Sequence, residues 1–398
     1  MKDATTIAMT ALLFAAWLGG SAPEARADAV IDWNARAGEI VIEAKLGTPP
    51  AIRVMALVQT AVHEGVSAAP RGASVDAIVA AASRTTLSRL LPAQQAAIDA
   101  AYRAALAAMA DGPAKSEGIA AGERAAATIL AARSDDGPGG ADTYRPHTTA
   151  GAYVPTAQPA ALPWAQRKPW LMSSATQFRP GPPPALGSAT WARDYDEVRA
   201  IGARGSARRT PEQTEIARFW EYSLPPIYFG VVRSLAAAPG RDTRENARLY
   251  AAAAQAMDDA MVAVFDAKYH YGFWRPATAI RNGDIDGNDA TQRDPAWVSF
   301  IEAPMHPEYP SAHSILAAAV ATVIAADAGG RPLPVLATSS PTAKGATRRW
   351  ASADDFVAEV GNARIWEGIH FRTSTEVGAA MGRSIGTLAV ERLLQPPH

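Results

Sequence analysis

The sequence predicts an all-α protein in which helical bundles form two lobes, joined by a long irregular connection rich in Pro and Gly. Apolar residues recur at helical spacing through most of the chain, and strand patterns are close to absent. One stretch, 135–187, holds ten of the thirty prolines and cannot be regular. We therefore expect an N-terminal helical lobe over 28–134, the irregular connection over 135–187 and a C-terminal helical lobe over 188–398.

The chain begins with the three parts of an export signal. Lys2 precedes an apolar stretch from Ile7 to Leu18, and small residues lead to an A-x-A site that ends at Ala27. The apolar stretch is shorter than the roughly 20 residues that a membrane span needs. We expect residues 1–27 to be a signal peptide and the mature protein to be periplasmic or secreted, with no integral membrane association.

Each helix is predicted from its apolar repeat and its end signals, such as Pro92 at the start of one helix and Gly112 at its end. The predicted helices cover 50–69, 74–91, 92–110, 115–133, 188–202, 210–236, 243–268, 311–327, 352–366 and 375–393. Within the irregular connection, four large apolar residues favour packing against the body: Trp164, Trp170, Leu171 and Phe178.

The composition excludes several function classes. The 398 residues include 38 Lys and Arg, 39 Asp and Glu, and no Cys, which gives a net charge of −1. This balance argues against a protein that coats nucleic acid. Without cysteine there is no disulfide framework, zinc–thiolate site, iron–sulfur cluster or cysteine nucleophile. Only six of the basic residues are lysines, so a lysine at a functional position is more informative than usual.

The first of three chemically unusual clusters runs from Lys268 to Pro276. Lys268 continues the inward apolar stripe of its helix, four residues after Val264, so its ammonium group should point to the interior. Gly272 is predicted to end the helix. Pro276 moves Arg275 out of the α region, which presents the guanidinium from a turn.

The second cluster is His306-Pro307-Glu308-Tyr309-Pro310-Ser311-Ala312-His313, which runs into an apolar helix. Pro310 presets the first turn and should leave the backbone N–H groups of Ser311 and Ala312 unpaired at the positive end of the helix. These amides are predicted to form an anion-binding site, to which Ser311 adds a hydroxyl. His313 could serve a bound anion as a general acid or base.

The third cluster runs from Arg364 to His370. Arg364 lies on an inward stripe, four residues after Val360. A spacing of six is a poor helical repeat, so Arg364 and His370 share a site only if the helix breaks near Gly368. Ser374 is then expected to cap the final helix.

Each of these residues alone is as well explained by a structural role, such as an ion pair or a buried, hydrogen-bonded histidine. Together they favour a shared site over separate structural roles. Lys268, Arg275 and Arg364 occupy core-facing or turn positions, with no acidic cluster at matching spacing to neutralise them. Burying them unpaired would cost several kcal/mol each, and a bound oxyanion removes that cost.

The order K-x6-R-P, P-S-x-H and R-x5-H resembles the signature of a known superfamily. This superfamily joins the vanadium-dependent haloperoxidases, the type-2 phosphatidic acid phosphatases and the bacterial acid phosphatases. Further segments resemble its exported bacterial haloperoxidase-like branch, over nearly the whole mature chain: 32–34, 178–180, 306–314 and 368–372.

The resemblance implies a cage for the equatorial oxygens of vanadate or phosphate. Its members here would be Lys268, Arg275 and Arg364, helped by the Ser311 hydroxyl and the Ala312 amide. The commonest form of the second motif has Gly at the position of Ala312, and the amide survives that change.

The resemblance also implies catalytic roles for His370, His313 and Lys268. His370 would be the axial ligand of vanadium, or the nucleophile that attacks phosphorus. His313 would shuttle the proton, and Lys268 would polarise bound peroxide. His306 and His270 are expected at the mouth of the pocket.

One position departs from the phosphatase pattern, which has an Asp four residues after the last His. Here that residue is Ser374. A serine can hydrogen-bond but cannot offset the charge of an imidazolium.

Three functions follow as hypotheses. The first is a haloperoxidase that oxidises halide with hydrogen peroxide at a vanadate cofactor bound to His370. The second is a soluble exported acid phosphatase, which needs no cofactor and hydrolyses a phosphate ester through a phosphohistidine. The third is an oxyanion-binding protein without turnover. The partners are small molecules and not nucleic acid in each case, and the sequence leaves the halide and the oligomeric state open.

Overall fold

The computed structural model describes residues 28–137 and 144–395 and confirms the all-α class. These residues form thirteen α-helices and one two-stranded hairpin. The helices are α1 (Ala29–Glu43), α2 (Thr48–Ser67), α3 (Val75–Leu90), α4 (Gln95–Ala107), α5 (Pro113–Ala132), α6 (Ala189–Ile201), α7 (Pro211–Trp220), α8 (Pro226–Ala236), α9 (Thr243–Tyr271), α10 (Pro276–Arg281), α11 (Ala312–Asp327), α12 (Ala353–Trp366) and α13 (Arg372–Ala389). The antiparallel strands are β1 (Leu336–Ser340) and β2 (Ala346–Trp350), with Leu336 opposite Trp350.

The predicted segment 210–236 is two helices rather than one, α7 and α8. The chain breaks between Trp220 and Pro226, because Pro226 has no N–H to continue a helical ladder and instead occupies the first turn of α8. Two helices, α1 and α10, and the β1–β2 hairpin lie outside the predicted segments.

The predicted signal peptide, residues 1–27, lies outside the described residues. Within the described ranges, the search for a helix with the length and apolar character of a membrane span found none.

One hydrophobic core runs through both halves of the chain, from Val30 in α1 to Ala389 in α13. Its centre is α9, a helix of 29 residues that is buried along most of its length. It contacts α2 on one side and α11 and α13 on the other. The sequence of α9 explains this position, since alanines such as those at 251–254 present small side chains on every face and let neighbouring helices approach closely.

Two adjacent aspartates of α9 hold the irregular connection to the core. The Asp259 carboxylate accepts hydrogen bonds from the backbone N–H groups of Trp170, Leu171 and Met172, at 2.6 to 2.9 Å. The neighbouring Asp258 accepts one from the Trp170 indole at 2.6 Å. Both aspartates are fully buried. The connection lacks regular structure but is fixed to α9 by charge-assisted hydrogen bonds.

The irregular connection also reaches the first and second sequence clusters. The hydrogen bonds that make this contact include Tyr153 N–H to the Gly272 carbonyl at 2.7 Å, the Tyr271 hydroxyl to the Pro180 carbonyl, and the Tyr309 hydroxyl to the Gly181 carbonyl at 2.8 Å. The connection therefore helps to fix the two segments in which the first and second clusters lie.

We predict that Asp259→Asn lowers the free energy of unfolding by about 1 to 3 kcal/mol, because the amide nitrogen cannot accept and at least one buried backbone N–H loses its acceptor. Urea denaturation followed by circular dichroism measures this. Asp266→Asn is the matched control, since it makes the same change on the same helix at a partly exposed ion pair with Arg179. That change should cost about 1 kcal/mol or less. Equal losses in both variants would contradict the special role of Asp259.

Candidate active site

The turn between α12 and α13 brings Arg364 and His370 into one region. Helix α12 ends at Trp366, and Gly368 has a φ of +78°. A Cβ built on Gly368 would lie 2.2 Å from the Gly202 carbonyl oxygen, so no side chain fits there. The predicted break near Gly368 is therefore present, and both the backbone conformation and the packing require glycine at that position.

Lys268 lies in the last turn of α9 with its ammonium group inside the protein. The side chain is fully buried, and Nζ donates to the backbone carbonyls of Pro307 and Glu308, each at 2.9 Å. Helix α9 ends at Gly272, whose φ is +54°. Because an ammonium group has three hydrogens, one remains for a further acceptor.

Arg275 connects the three clusters. It has an extended backbone before Pro276 and is buried. Its Nε donates to the His306 carbonyl at 2.9 Å, and Nη1 donates to the Ile369 carbonyl at 2.8 Å. Nη1 also lies 3.4 Å from Nε2 of His370. A residue of the first cluster thus hydrogen-bonds to the segments that carry the second and third.

Ser311 caps α11, and its side chain accepts from the backbone N–H of Ser314 at 3.4 Å. The expectation that the Ser311 amide is unpaired was wrong, because this N–H donates to the Ser374 carbonyl at 3.0 Å. The cause is the packing of α13 on the start of α11, which places Ser374 beside it. Among the described residues, the Ala312 N–H has no acceptor.

His313 is buried in the first turn of α11. Burial, followed by the nearby Arg364, lowers the pKa of His313 well below its usual value, so the ring is neutral. Its Nε2 atom has no hydrogen-bond partner within the described part of the chain. A neutral buried histidine with one unpartnered nitrogen can accept or donate a proton when a ligand is next to it.

Arg364 is buried and paired, contrary to the expectation that no acid neutralises the basic groups. Nη1 donates to the Trp220 carbonyl at 2.6 Å and to Oε1 of Glu367 at 2.8 Å. Glu367 lies three residues later on the same side of the helix end and is fully buried. The Arg364 Nε atom has no partner among the described residues.

Glu308 is the second acid that the sequence interpretation missed. Its carboxylate is fully buried, and Oε1 lies 2.7 Å from Nδ1 of His370 and accepts from the Phe371 N–H at 3.0 Å. Ser374 is more distant, with its Oγ 3.5 Å from the same Nδ1. The carboxylate that the phosphatase pattern places at position 374 is thus provided by the second cluster.

The contact between Glu308 and His370 fixes the tautomer of the histidine. An ionised carboxylate only accepts, so Nδ1 carries the proton and Nε2 keeps its lone pair. This Nε2 atom faces the Arg275 guanidinium, which only donates. His370 therefore presents a basic nitrogen among basic side chains, as an axial ligand or nucleophile requires.

The basic groups of the site all have a lowered pKa, with burial as the first cause in each case. These groups are Lys268, Arg275, His306, His313, Arg364 and His370. In all of them except Arg364, the positive charge of another member lowers the pKa further, so these groups lie within electrostatic range of one another. Burial raises the pKa of Glu308 to about 7 and that of Glu367 to about 8. Buried groups of both signs with shifted pKa values are typical of a functional site, and a bound anion would offset the excess of basic groups.

The two histidines expected at the pocket mouth occupy different places. His306 is enclosed by the site, and its Nδ1 accepts from Nη2 of Arg275 at 3.0 Å. His270 is exposed and lines another cavity, of about 430 Å³, together with His147. The structure therefore groups His306 with the buried site and leaves His270 outside it.

Comparison with known proteins shows similarity to one family. The family model described as the VCPO second helical-bundle domain matches residues 248–397, which include all three clusters. A curated relative, the vanadium chloroperoxidase of Curvularia inaequalis, is 25% identical over 219 residues. Residues 248–397 are therefore similar to a domain of the vanadium-dependent haloperoxidases. That alignment covers 47% of this chain but only 35% of the length of the relative.

Solved structures of haloperoxidases share the fold over most of this chain. A bacterial vanadium-dependent iodoperoxidase superposes with a TM-score of 0.76 at 24% identity, covering 92% of this chain and 95% of the other. A holo-type bacterial vanadium-dependent chloroperoxidase superposes with a TM-score of 0.68 at 18% identity, covering 90% and 92%. At these sequence identities the similarity shows the fold alone.

The donors of this site fit an oxyanion. Within the described residues, the nitrogens of the clusters without an acceptor or partner include Ala312 N, His313 Nε2 and Arg364 Nε. Lys268 retains one hydrogen, and Nε2 of His370 retains its lone pair. Vanadate and phosphate offer several acceptor oxygens around one electrophilic centre, which matches donors grouped around one nitrogen base.

We predict that Glu308→Gln weakens the binding of orthovanadate roughly tenfold to a hundredfold, since it removes the charge that holds His370. Binding to the wild-type protein should also weaken as the pH falls through about 7, the pKa of Glu308. A protonated carboxyl donates to Nδ1, which moves the imidazole proton to Nε2 and removes the lone pair. Isothermal titration calorimetry between pH 6 and 8 measures both effects.

The control is the double variant Glu308→Gln with Ser374→Asp. An Asp at position 374 would reach Nδ1, since the serine Oγ is already 3.5 Å away. It should restore most of the lost affinity. An affinity of Glu308→Gln that equals the wild type at every pH would show that the carboxylate does not control His370.

Proposed function

We propose that the protein is a vanadium-dependent haloperoxidase, which oxidises halide with hydrogen peroxide at vanadate bound to His370. The observation that supports this best is the state of His370. Glu308 holds its Nδ1–H, and its Nε2 lone pair is directed into a group of buried basic side chains. The names of two similar proteins, a vanadium chloroperoxidase and a vanadium-dependent iodoperoxidase, support the same reaction.

The oxygens of the cofactor would be held by Lys268, Arg275 and Arg364, together with Ser311 and Ala312. Each has a donor left for this purpose. The Ser311 hydroxyl accepts from Ser314, so its own hydrogen is available for donation. Vanadate, when bound, acts as a Lewis acid that activates hydrogen peroxide towards halide.

The protein's own groups would supply the proton transfers. His313 is neutral and has an unpartnered Nε2, so it can take a proton from an arriving hydroxyl or peroxide oxygen and return it to a leaving oxygen. The remaining hydrogen of Lys268 can polarise an oxygen bound beside it. Burial excludes water from these charges and strengthens each interaction.

A soluble phosphomonoesterase is the second candidate, and the Glu308–His370 pair favours it. In this reaction Nε2 of His370 attacks phosphorus, and the ring becomes positively charged in the phosphohistidine. A carboxylate 2.7 Å from Nδ1 stabilises that charge, which Ser374 alone would not. His313 would protonate the leaving alkoxide, and no cofactor is needed.

We further propose that the protein acts after export, as a periplasmic or secreted enzyme. The three-part signal of residues 1–27 supports this.

We predict that purified protein incubated with orthovanadate brominates a phenolic dye in the presence of peroxide, and that His370→Ala abolishes this activity. In the same preparation without vanadate, hydrolysis of an aryl phosphate is measured. Bromination that depends on vanadate and on His370 supports the haloperoxidase. Hydrolysis that vanadate inhibits, with no bromination, would replace it with the phosphatase.

We predict that His313→Ala lowers turnover by roughly a hundredfold to ten-thousandfold, the usual contribution of a general acid–base group, while orthovanadate affinity changes little. Calorimetry and steady-state kinetics on the same preparation separate the two effects. His63→Ala is the control for folding, because it removes a histidine of α2 that is distant in sequence from the three clusters. A loss of affinity that equals the loss of turnover would assign His313 to binding instead.

A further inference from the structure

A cavity of about 620 Å³ lies beside Arg275. Tyr153 and Val154 of the irregular connection line it on one side, and the chain from Val298 to Met305 lines it on another. Its volume suits a small organic molecule and is much larger than a halide or a phosphate requires.

The charges around the cavity are mainly positive. Arg275 is buried, whereas Arg204 and Arg281 are exposed, and Glu302 is the one acid among the lining residues. The Arg204 side chain forms no hydrogen bond or ion pair with any described residue. Arg281 uses only its Nε, which donates to the Trp297 carbonyl at 2.7 Å. The exposed end of the cavity therefore offers two guanidinium groups to an anion.

The buried end of the cavity has unsatisfied polar atoms. The Tyr153 side chain is 3% exposed, yet its hydroxyl has no partner within the described ranges. Burial raises the pKa of Tyr153 to about 12, so the hydroxyl keeps its hydrogen. Arg275 directs four of its five N–H groups to His306, Ile369 and His370 and retains one. A buried hydroxyl without a partner costs free energy that a polar ligand atom would recover.

The rest of the lining is mixed. Its apolar members include Val154, Ala277, Val298, Ala303 and Pro304, and its uncharged polar members are Thr156, Thr278, Asn282 and Ser299. An aromatic ring fits against the apolar members, with one polar substituent at each end.

We propose that this cavity binds an aryl carboxylate that carries a phenolic hydroxyl. The carboxylate lies at Arg204 and Arg281, whose guanidinium groups are largely free. The hydroxyl, rather than the carboxylate, lies at Tyr153 and Arg275, because Glu308 already opposes the charge of Arg275. The electron-rich ring is then directed towards Arg275, which contacts His370.

Binding of this molecule does not depend on vanadate, but its role as a halogen acceptor rests on the proposed function. In that role, a ring carbon takes the halogen of hypohalous acid and loses its proton, and water is the other product. Failure of binding and failure of halogenation are therefore separate results.

The test is calorimetric titration of metal-free protein with 4-hydroxyphenylacetate. We expect saturable binding to the wild type, and binding roughly three- to tenfold weaker in the double variant Arg204→Gln and Arg281→Gln, as exposed ion pairs contribute. The matched control is Arg71→Gln with Arg89→Gln, which removes the same charge from exposed positions elsewhere. The control should bind as the wild type does.

Tyr153→Phe tests the other end of the ligand. It should weaken 4-hydroxyphenylacetate roughly fivefold, the worth of one neutral hydrogen bond, and leave phenylacetate unchanged. No saturable binding to the wild type, equal losses in both arginine pairs, or equal losses for both ligands in Tyr153→Phe would each overturn the proposal. Binding without halogenation would instead count against the proposed function alone.

Discussion

The hydrogen bond between the Glu308 carboxylate and Nδ1 of His370 is the interaction on which the rest of the site depends. It keeps a lone pair on Nε2, which lies 3.4 Å from Nη1 of Arg275. A carboxylate buried this completely would be costly alone, and the nearby Lys268 and Arg275 oppose the rise of its pKa. Glu308 in turn opposes the lowering of the Arg275 pKa, as Glu367 does for Arg364. Removing one member therefore changes the protonation of the others.

The scaffold explains how such a group of charges stays in place. The first cluster lies at the end of α9, the helix with most of its length in the core, so Lys268 is fixed by packing rather than by a loop. The irregular connection is attached to the same helix through Asp258 and Asp259 and then reaches the first and second clusters. Chain without regular structure is thus held by buried carboxylates and forms part of the cavity beside Arg275.

The sequence was informative where a local pattern decides the outcome. Apolar spacing predicted the all-α class, and the stripe that contains Lys268 predicted its burial. The end of α9 at Gly272 and the break near Gly368 also followed from local rules. The partners that residues contact in the folded structure did not follow from local rules. Glu367 could have been found from its i,i+3 spacing to Arg364, but nothing in the order of residues pairs Glu308 with a histidine 62 positions later.

Two further expectations failed because they treated helix ends in isolation. Ser374 does not cap α13, whose first residue is Arg372 and whose N-cap residue is Phe371. Ser374 instead lies in the first turn, where its carbonyl takes the amide of Ser311. The packing of two helix starts against each other thus satisfies a group that a single-helix argument leaves open. Among the described residues, the amides of Ala312 and His313 remain without an acceptor at the start of α11. The hairpin was missed because its strands are only five residues long and their sequences lack a clear apolar alternation.

The two buried acids also relate anion binding to protons. Burial raises the pKa of Glu308 to about 7 and that of Glu367 to about 8, so both titrate near neutral pH. An oxyanion that takes Arg364 competes with Glu367 for the same guanidinium, and its negative charge raises the pKa of that carboxyl further. Protonation of Glu367 therefore releases Arg364 to the anion, whereas protonation of Glu308 removes the lone pair of His370. The two acids have opposite effects on the site, and an anion is held best in the pH range where Glu367 carries a proton and Glu308 does not.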